Sequence, residues 1–161
     1  NHGNAKDLGR SHNLPFHYFP VTKETKQQQE QDVCKIIEDT QSDLIIMARY
    51  MQILTEKFCS DYAGRVINIH HSFLPGFKGA KPYTQAYERG VKVIGATAHF
   101  ATTDLDEGPI ITQEVAPVNH SHTPEKMQLM GQDTENRALS NAMKLYAEHR
   151  IFVQDGRTII L

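Results

Sequence analysis

The chain has no tryptophan, only two cysteines, and aromatic residues at 8% of its 161 positions. Neither sign of charge dominates: 17 Lys and Arg stand against 19 Asp and Glu, for a net charge of -2. Nucleic acid and anionic membranes select for a basic excess, so this balance predicts neither as a partner. No apolar run approaches the ~20 residues that span a bilayer, and no signal peptide or lipidation motif is expected. Two thiols, Cys34 and Cys59, do not make a disulfide framework in a domain of this size. Cys34 falls on the apolar side of a predicted helix and is expected as a buried free thiol, which points to a reducing, cytoplasmic setting. A Gly-rich phosphate cradle and a Gly-centred serine nucleophile motif are missing as well.

What is present suits one globular domain, with 39% hydrophobic and 22% charged residues. Helical spacing predicts a short helix over residues 5–12. It predicts a second from a cap at Thr25 to about Asp39, with Val33, Ile36 and Ile37 on its apolar face. Residues 16–21 read as a short strand. Residues 44–48 form a continuous apolar run, as expected of a strand buried on both faces. A helix over 55–62, a strand over 66–70 and a loop through Pro75, Gly76 and Gly79 follow. Next come a helix over 83–89 and strands over 93–100 and 110–118. Thr123-Pro124 then opens the longest helix, and Asp155-Gly156 makes a hairpin of the C-terminal segment. Strands alternate with helices over the first two thirds, which predicts an α/β fold with a mostly parallel, doubly wound sheet. The late strands predict an antiparallel edge.

Asn68 and His70 alternate on a predicted strand, so their side chains share a face at the strand's C-terminal end. Open α/β sheets place ligands at that end. The spacing leaves two readings open, a polar strand terminus bonded to its loop or a pair facing a substrate. Asp104, Asp106 and Glu107 lie between two strands and read either as a solvated turn or as the source of a carboxylate for a histidine. A carboxylate beside an imidazole is expected to raise its pKa and tune it for acid–base work. Met51, Ile53 and Leu54 follow the 44–48 strand and read either as core or as the wall of a slot for a flat ring. Nine histidines include His70-His71 and His120-x-His122. Neighbours on a strand face opposite ways, and no third ligand stands at a metal-site spacing, so no metal is expected.

Taken together, these residues carry a resemblance. Asn68-Ile69-His70-x-Ser72-x-Leu74-Pro75, with Gly79 four residues beyond the proline, resembles the signature of the formyltransferase family. Asp106-x-Gly108-x-Ile110-Ile111 is similar to that family's second motif, and Tyr50-Met51-x-Ile53-Leu54 to its folate-loop motif. The order and separations match across nearly the whole chain. Within the family, His70-His71-Ser72-Phe73-Leu74-Pro75 most resembles the formyltetrahydrofolate deformylase branch, where transformylases tend to have Pro in place of His71.

The resemblance implies a Rossmann-like formyltransferase fold, with residues 1–161 as a formyltransferase-type catalytic domain. It also implies a strand–helix–strand and an ACT-type regulatory domain ahead of Asn1. Asn68, His70 and Asp106 match the family's catalytic triad. Met51, Ile53 and Leu54 would flank the pterin, the backbone around Thr102, Thr103 and Leu105 would bind its polar edge, and Gly79 would belong to a loop near the formyl group. Gln52 stands where transformylases carry an Arg for the folate tail. The implied activity is hydrolysis of 10-formyltetrahydrofolate to tetrahydrofolate and formate, for one-carbon and purine metabolism. The folate is the substrate, no metal or further cofactor is implied, and a homo-oligomer is. Two alternatives stand beside it: a glycinamide ribonucleotide transformylase and a non-catalytic folate-binding module.

Overall fold

A computed structural model describes residues 4–22, 24–50, 52–71 and 81–161. The chain divides into two compact units, Asn1–Ser42 and Asp43–Leu161. The first unit holds helices α1 (Asn4–Ser11) and α2 (Lys26–Asp39), as the periodicity predicts. Thr25 occupies the N-cap of α2 without capping it. Its hydroxyl instead accepts from the backbone N–H of Thr22 at 2.9 Å, closing the preceding turn. Residues 16–21 form no strand. A strand exists through its ladder of hydrogen bonds, and no described strand pairs with this segment; Phe16 and Tyr18 stand exposed. Cys34 is half-buried rather than buried, and both cysteines are reduced.

The second unit is built on a four-stranded sheet of order β1 (Ile45–Ala48), β2 (Val66–His70), β3 (Val93–Phe100) and β4 (Ile110–Pro117). β1 runs parallel to β2, while β2–β3 and β3–β4 are antiparallel. The expected α/β class is therefore present, with a mixed sheet in which the 44–48 run is an edge strand. Among the described strands β1 pairs with β2 alone, and its Ile45, Ile46 and Met47 are half-buried. Helix α3 (Glu56–Asp61) joins β1 to β2, and the Thr55 side chain caps it by accepting from the Phe58 N–H. Helix α4 (Pro82–Glu88) precedes β3 and ends before Gly90, whose φ of +62° is the left-handed turn that glycine adopts without strain.

Helix α5 (Pro124–Ala147) begins at Thr123, which accepts from the Lys126 N–H, and at Pro124, whose missing N–H costs nothing in the first turn. Its Ala138 and Ala142 pack against Ala96, Ala98 and Phe100 of β3 and Ile67 of β2. Small residues on both sides let the helix lie close to the sheet. Since side chains alternate along a strand, this packing commits Ala96, Ala98 and Phe100 to the α5 face and leaves Thr97 and His99 on the other. On β2 it commits Ile67 and Ile69 in the same way, leaving Asn68 and His70 opposite. The β2–β3 register pairs Asn68 with His99 and His70 with Thr97. The C-terminal hairpin, β5 (Ile151–Gln154) and β6 (Arg157–Ile160), turns at Asp155 and Gly156 with φ of 50° and 74°. Two consecutive positive φ values define the tight turn that Asp-Gly favours.

Candidate active site

Asn68, His70 and Asp106 converge. His70 Nδ1 lies 3.1 Å from Asp106 Oδ2, and Asn68 Nδ2 donates to Asp106 Oδ1 at 3.3 Å. The two strand residues reach the same face because β2 is regular through His70. Asp106 arrives from the connection between β3 and β4. That connection closes because Gly108 tucks under β3: a Cβ on Gly108 would stand 1.8 Å from the Phe100 carbonyl oxygen. Phe100 N–H then donates to the Pro109 carbonyl at 2.9 Å. Asp106 itself adopts φ +58°, a left-handed conformation that Asp tolerates better than most residues.

A fourth side chain completes the cluster. His99 is 1% exposed, and its Nδ1 lies 2.9 Å from the Phe100 carbonyl oxygen. A carbonyl only accepts, so Nδ1 carries the proton and Nε2 the lone pair. Asn68 Nδ2, at 3.2 Å from that Nε2, therefore donates to it. The two Asn68 amide hydrogens are thus directed at His99 and Asp106, which fixes the amide's orientation. Among the described residues no buried side-chain nitrogen or oxygen lacks a hydrogen-bond partner.

The same geometry sets the protonation of His70. A carboxylate only accepts, so Nδ1–H donates to Asp106 and Nε2 holds the lone pair. Burial pushes the His70 imidazole below its ordinary value; Asp106 pulls the other way, and His71 and His99 add to the lowering. The expected rise is corrected here: desolvation of the ring outweighs the carboxylate. The result is an imidazole that stays neutral and basic near neutral pH, with its basic nitrogen turned away from Asp106.

A model of the formyl transferase family matches residues 3–143. The chain belongs to the formyl transferase family. It is 47% identical, over its whole length, to a formyltetrahydrofolate deformylase of Corynebacterium sp. (strain P-1), of which it covers 56%. The crystal structure of a formyltetrahydrofolate deformylase from Burkholderia mallei ATCC 23344 aligns with a TM-score of 0.94 at 51% identity, over 99% of this chain and 57% of that one. Glycinamide ribonucleotide transformylase 1 from Symbiobacterium toebii aligns with a TM-score of 0.86 at 32% identity, over 96% of this chain and 74% of that one. The chain thus spans a little over half the length of the curated relatives it matches.

In this formyl transferase chain the other expected site residues are placed less tightly. Met51 and Gly79 lie outside the described residues. Leu54 is buried at 9% exposure and Ile53 is exposed at 57%, in the segment that leaves the sheet beyond β1. Leu105 is exposed at 64%, Thr103 is exposed and Thr102 is half-buried, its hydroxyl donating to the Asp104 carbonyl. These residues leave the sheet beyond Phe100, which pairs with Ile67 at the start of β2, whereas β1 ends opposite Ile69.

One sequence expectation needs correction at the site. His71 does not face away from His70: the two rings stack with centroids 5.0 Å apart. β2 ends at His70 and the chain bends at His71, so strand alternation stops one residue earlier than assumed. His99 was not singled out from the sequence. The signal was present: a histidine in a strand that is otherwise small and apolar, at the alternation that faces Asn68. Among the described residues, no group of three His, Cys, Asp or Glu side chains is arranged to hold a metal ion. No described helix is long and apolar enough to cross a membrane.

Proposed function

We propose that this chain carries the catalytic residues that hydrolyse 10-formyltetrahydrofolate to tetrahydrofolate and formate, in the manner named for its deformylase relatives. The observation that carries the reading is the convergence of an amide, a neutral imidazole and a carboxylate from β2 and the β3–β4 connection. Water attacks the formyl carbon while His70 Nε2 takes its proton. The developing oxyanion accepts from Asn68. That donation requires Asn68 to release Asp106, whose bond to it is the longer of the two at 3.3 Å. Asp106 holds His70 in the tautomer that leaves Nε2 basic and stabilises the imidazolium that forms. The proton then passes to the leaving nitrogen as the carbon–nitrogen bond breaks. The balance needs no redox cofactor and no metal.

Met51, Ile53 and Leu54 would line the pterin slot, the backbone at Thr102, Thr103 and Leu105 would meet its polar edge, and Gly79 would approach the formyl group. A cytoplasmic homo-oligomer serving one-carbon and purine metabolism belongs to the same reading, as does a catalytic domain preceded by a further strand–helix–strand and an ACT-type domain. The test is a formate assay on the protein made from its complete coding sequence, with water as the sole acceptor. Formate release abolished in Asn68→Ala, His70→Ala and Asp106→Ala supports the reading, and near-normal turnover in all three overturns it. The likeness to a glycinamide ribonucleotide transformylase keeps a second reading in view, transfer of the formyl group to an amine. Product formation only when such an amine is supplied would favour that reading.

A further inference from the structure

We propose that His71 is a positioning residue for His70: its ring forms a stacked platform that sets the plane of the His70 imidazole and so aims Nε2 at the reacting centre. The inference rests on the proposed reaction for its kinetic consequences, and on geometry for everything else.

Among the described residues, His70 is held by hydrogen bonding at one point, Nδ1 to Asp106 at 3.1 Å. A single contact at one ring nitrogen fixes a direction but leaves the ring able to tilt about it, and a tilt swings Nε2, on the far side of the ring. The second constraint comes from the neighbouring residue. β2 stops at His70, the backbone bends, and the His71 ring is delivered alongside instead of to the opposite face. The rings lie at 24° to one another with centroids 5.0 Å apart, within the range of stacked aromatic pairs. His71 is itself half-buried, so it covers one face of His70 against water as well as orienting it.

Among the described residues, the charged and titratable groups that face His70 are Asp106 from the β3–β4 connection, His99 from β3 and His71 beside it. Asp106 alone favours the imidazolium. The stacked His71 ring opposes it twice, by excluding water and, when protonated, by like charge. Its removal lets water reach the His70 ring and withdraws the like charge, so His70 takes up a proton more readily.

The experiment compares His71→Ala with His71→Phe in the protein made from its complete coding sequence. It reads formate release against pH and the titration of the His70 ring by nitrogen-detected magnetic resonance. Misaimed catalytic groups lose rate by an order of magnitude or more. His71→Ala is expected to lower kcat by about tenfold with KM within about twofold, on the same grounds of orientation without lost binding. It is also expected to move the acid limb of the profile and the His70 titration to higher pH. His71→Phe keeps a flat ring in place and is expected to recover most of kcat. An unchanged kcat together with an unchanged His70 titration in His71→Ala overturns the proposal, and so does His71→Phe as impaired as His71→Ala. If the unsubstituted protein releases no formate, the proposed reaction falls. The His70 titration in the two variants still decides whether His71 acts on His70.

Discussion

Gly108 lies beneath the Phe100 carbonyl so closely that a Cβ there would stand 1.8 Å from the oxygen. This contact closes the β3–β4 connection and delivers Asp106 to His70. Gly108→Ala forces backbone against backbone, since the obstructing atom is a carbonyl and not the end of a flexible side chain. The expected outcome is a stability loss of about 1–3 kcal/mol by urea unfolding, with formate release per folded molecule reduced by at least ~10²-fold as Asp106 is displaced. Retention of both would show that the connection closes by another route.

Asp106→Asn keeps the shape of the side chain and removes its charge. An amide NH₂ facing Nδ1 invites the opposite His70 tautomer, with the proton on Nε2. A drop in kcat on the order of 10³–10⁴ is expected, as in hydrolases whose orienting carboxylate is neutralised. The acid limb should also move down, because the one neighbour that favours the imidazolium has lost its charge. A profile that moves up instead would contradict the assigned pairing.

The pH dependence of the unsubstituted protein follows from the depressed His70 pKa. The acid limb of kcat/KM is expected below the ordinary histidine value of 6.5. Above 6.5 the ring is neutral in both folded and unfolded chains and folding is indifferent to it. As pH falls below 6.5, the unfolded chain protonates first, and the stability that His70 contributes is lost as pH passes down through the folded value. Urea midpoints between pH 7.5 and 5 should therefore fall more steeply than in His70→Gln.

His99 holds Asn68 by accepting its second amide hydrogen. His99→Phe removes that acceptor and leaves one hydrogen of the half-buried Asn68 amide without it, at a cost of about 1 kcal/mol. His99→Gln keeps an acceptor, and kcat should recover relative to His99→Phe while KM barely changes. Equal damage in the two variants would reduce His99 to packing.

Between α4 and α5, a Cβ at Gly131 would stand 1.8 Å from the hydroxyl of Tyr83, which donates to Glu135 at 3.3 Å. Burial, reinforced by Glu135, pushes the Tyr83 phenol well above its ordinary value, so it stays a donor at any physiological pH. Gly131→Ala should push the Tyr83 ring aside and break its bond to Glu135, lowering the urea midpoint by the equivalent of about 1 kcal/mol.

Elements whose signals are local were legible in the sequence. Thr123-Pro124 marks the start of α5, Asp155-Gly156 the hairpin, and Gly90 the end of α4, because caps and turns depend on residues a few positions apart. Residues 16–21 read as a strand and are not one, because pairing depends on a distant partner that local propensity does not report. At the site, Asn68 and His70 are visible through strand alternation; spacing alone leaves Asp106 as one carboxylate among three, and the resemblance of Asp106-x-Gly108-x-Ile110-Ile111 to the family motif singles it out. Its distance to His70 depends on how the β3–β4 connection folds back, which spacing does not fix. The direction of the His70 shift was misread for a related reason: the sequence shows the carboxylate but not the depth at which the ring is buried. His71 escaped because alternation was extended one residue past the end of β2.

The alignment of Asn68 opposite His99 across β2 and β3 makes the site sensitive to the parity of chain length. Dropping one residue from β3 ahead of His99 would turn the imidazole towards α5 and bring the Phe100 ring to Asn68, whereas dropping two would keep the imidazole on its present face. Natural or engineered length variation in these two strands is therefore confined to even steps, while the loops at their ends remain open to change of any size.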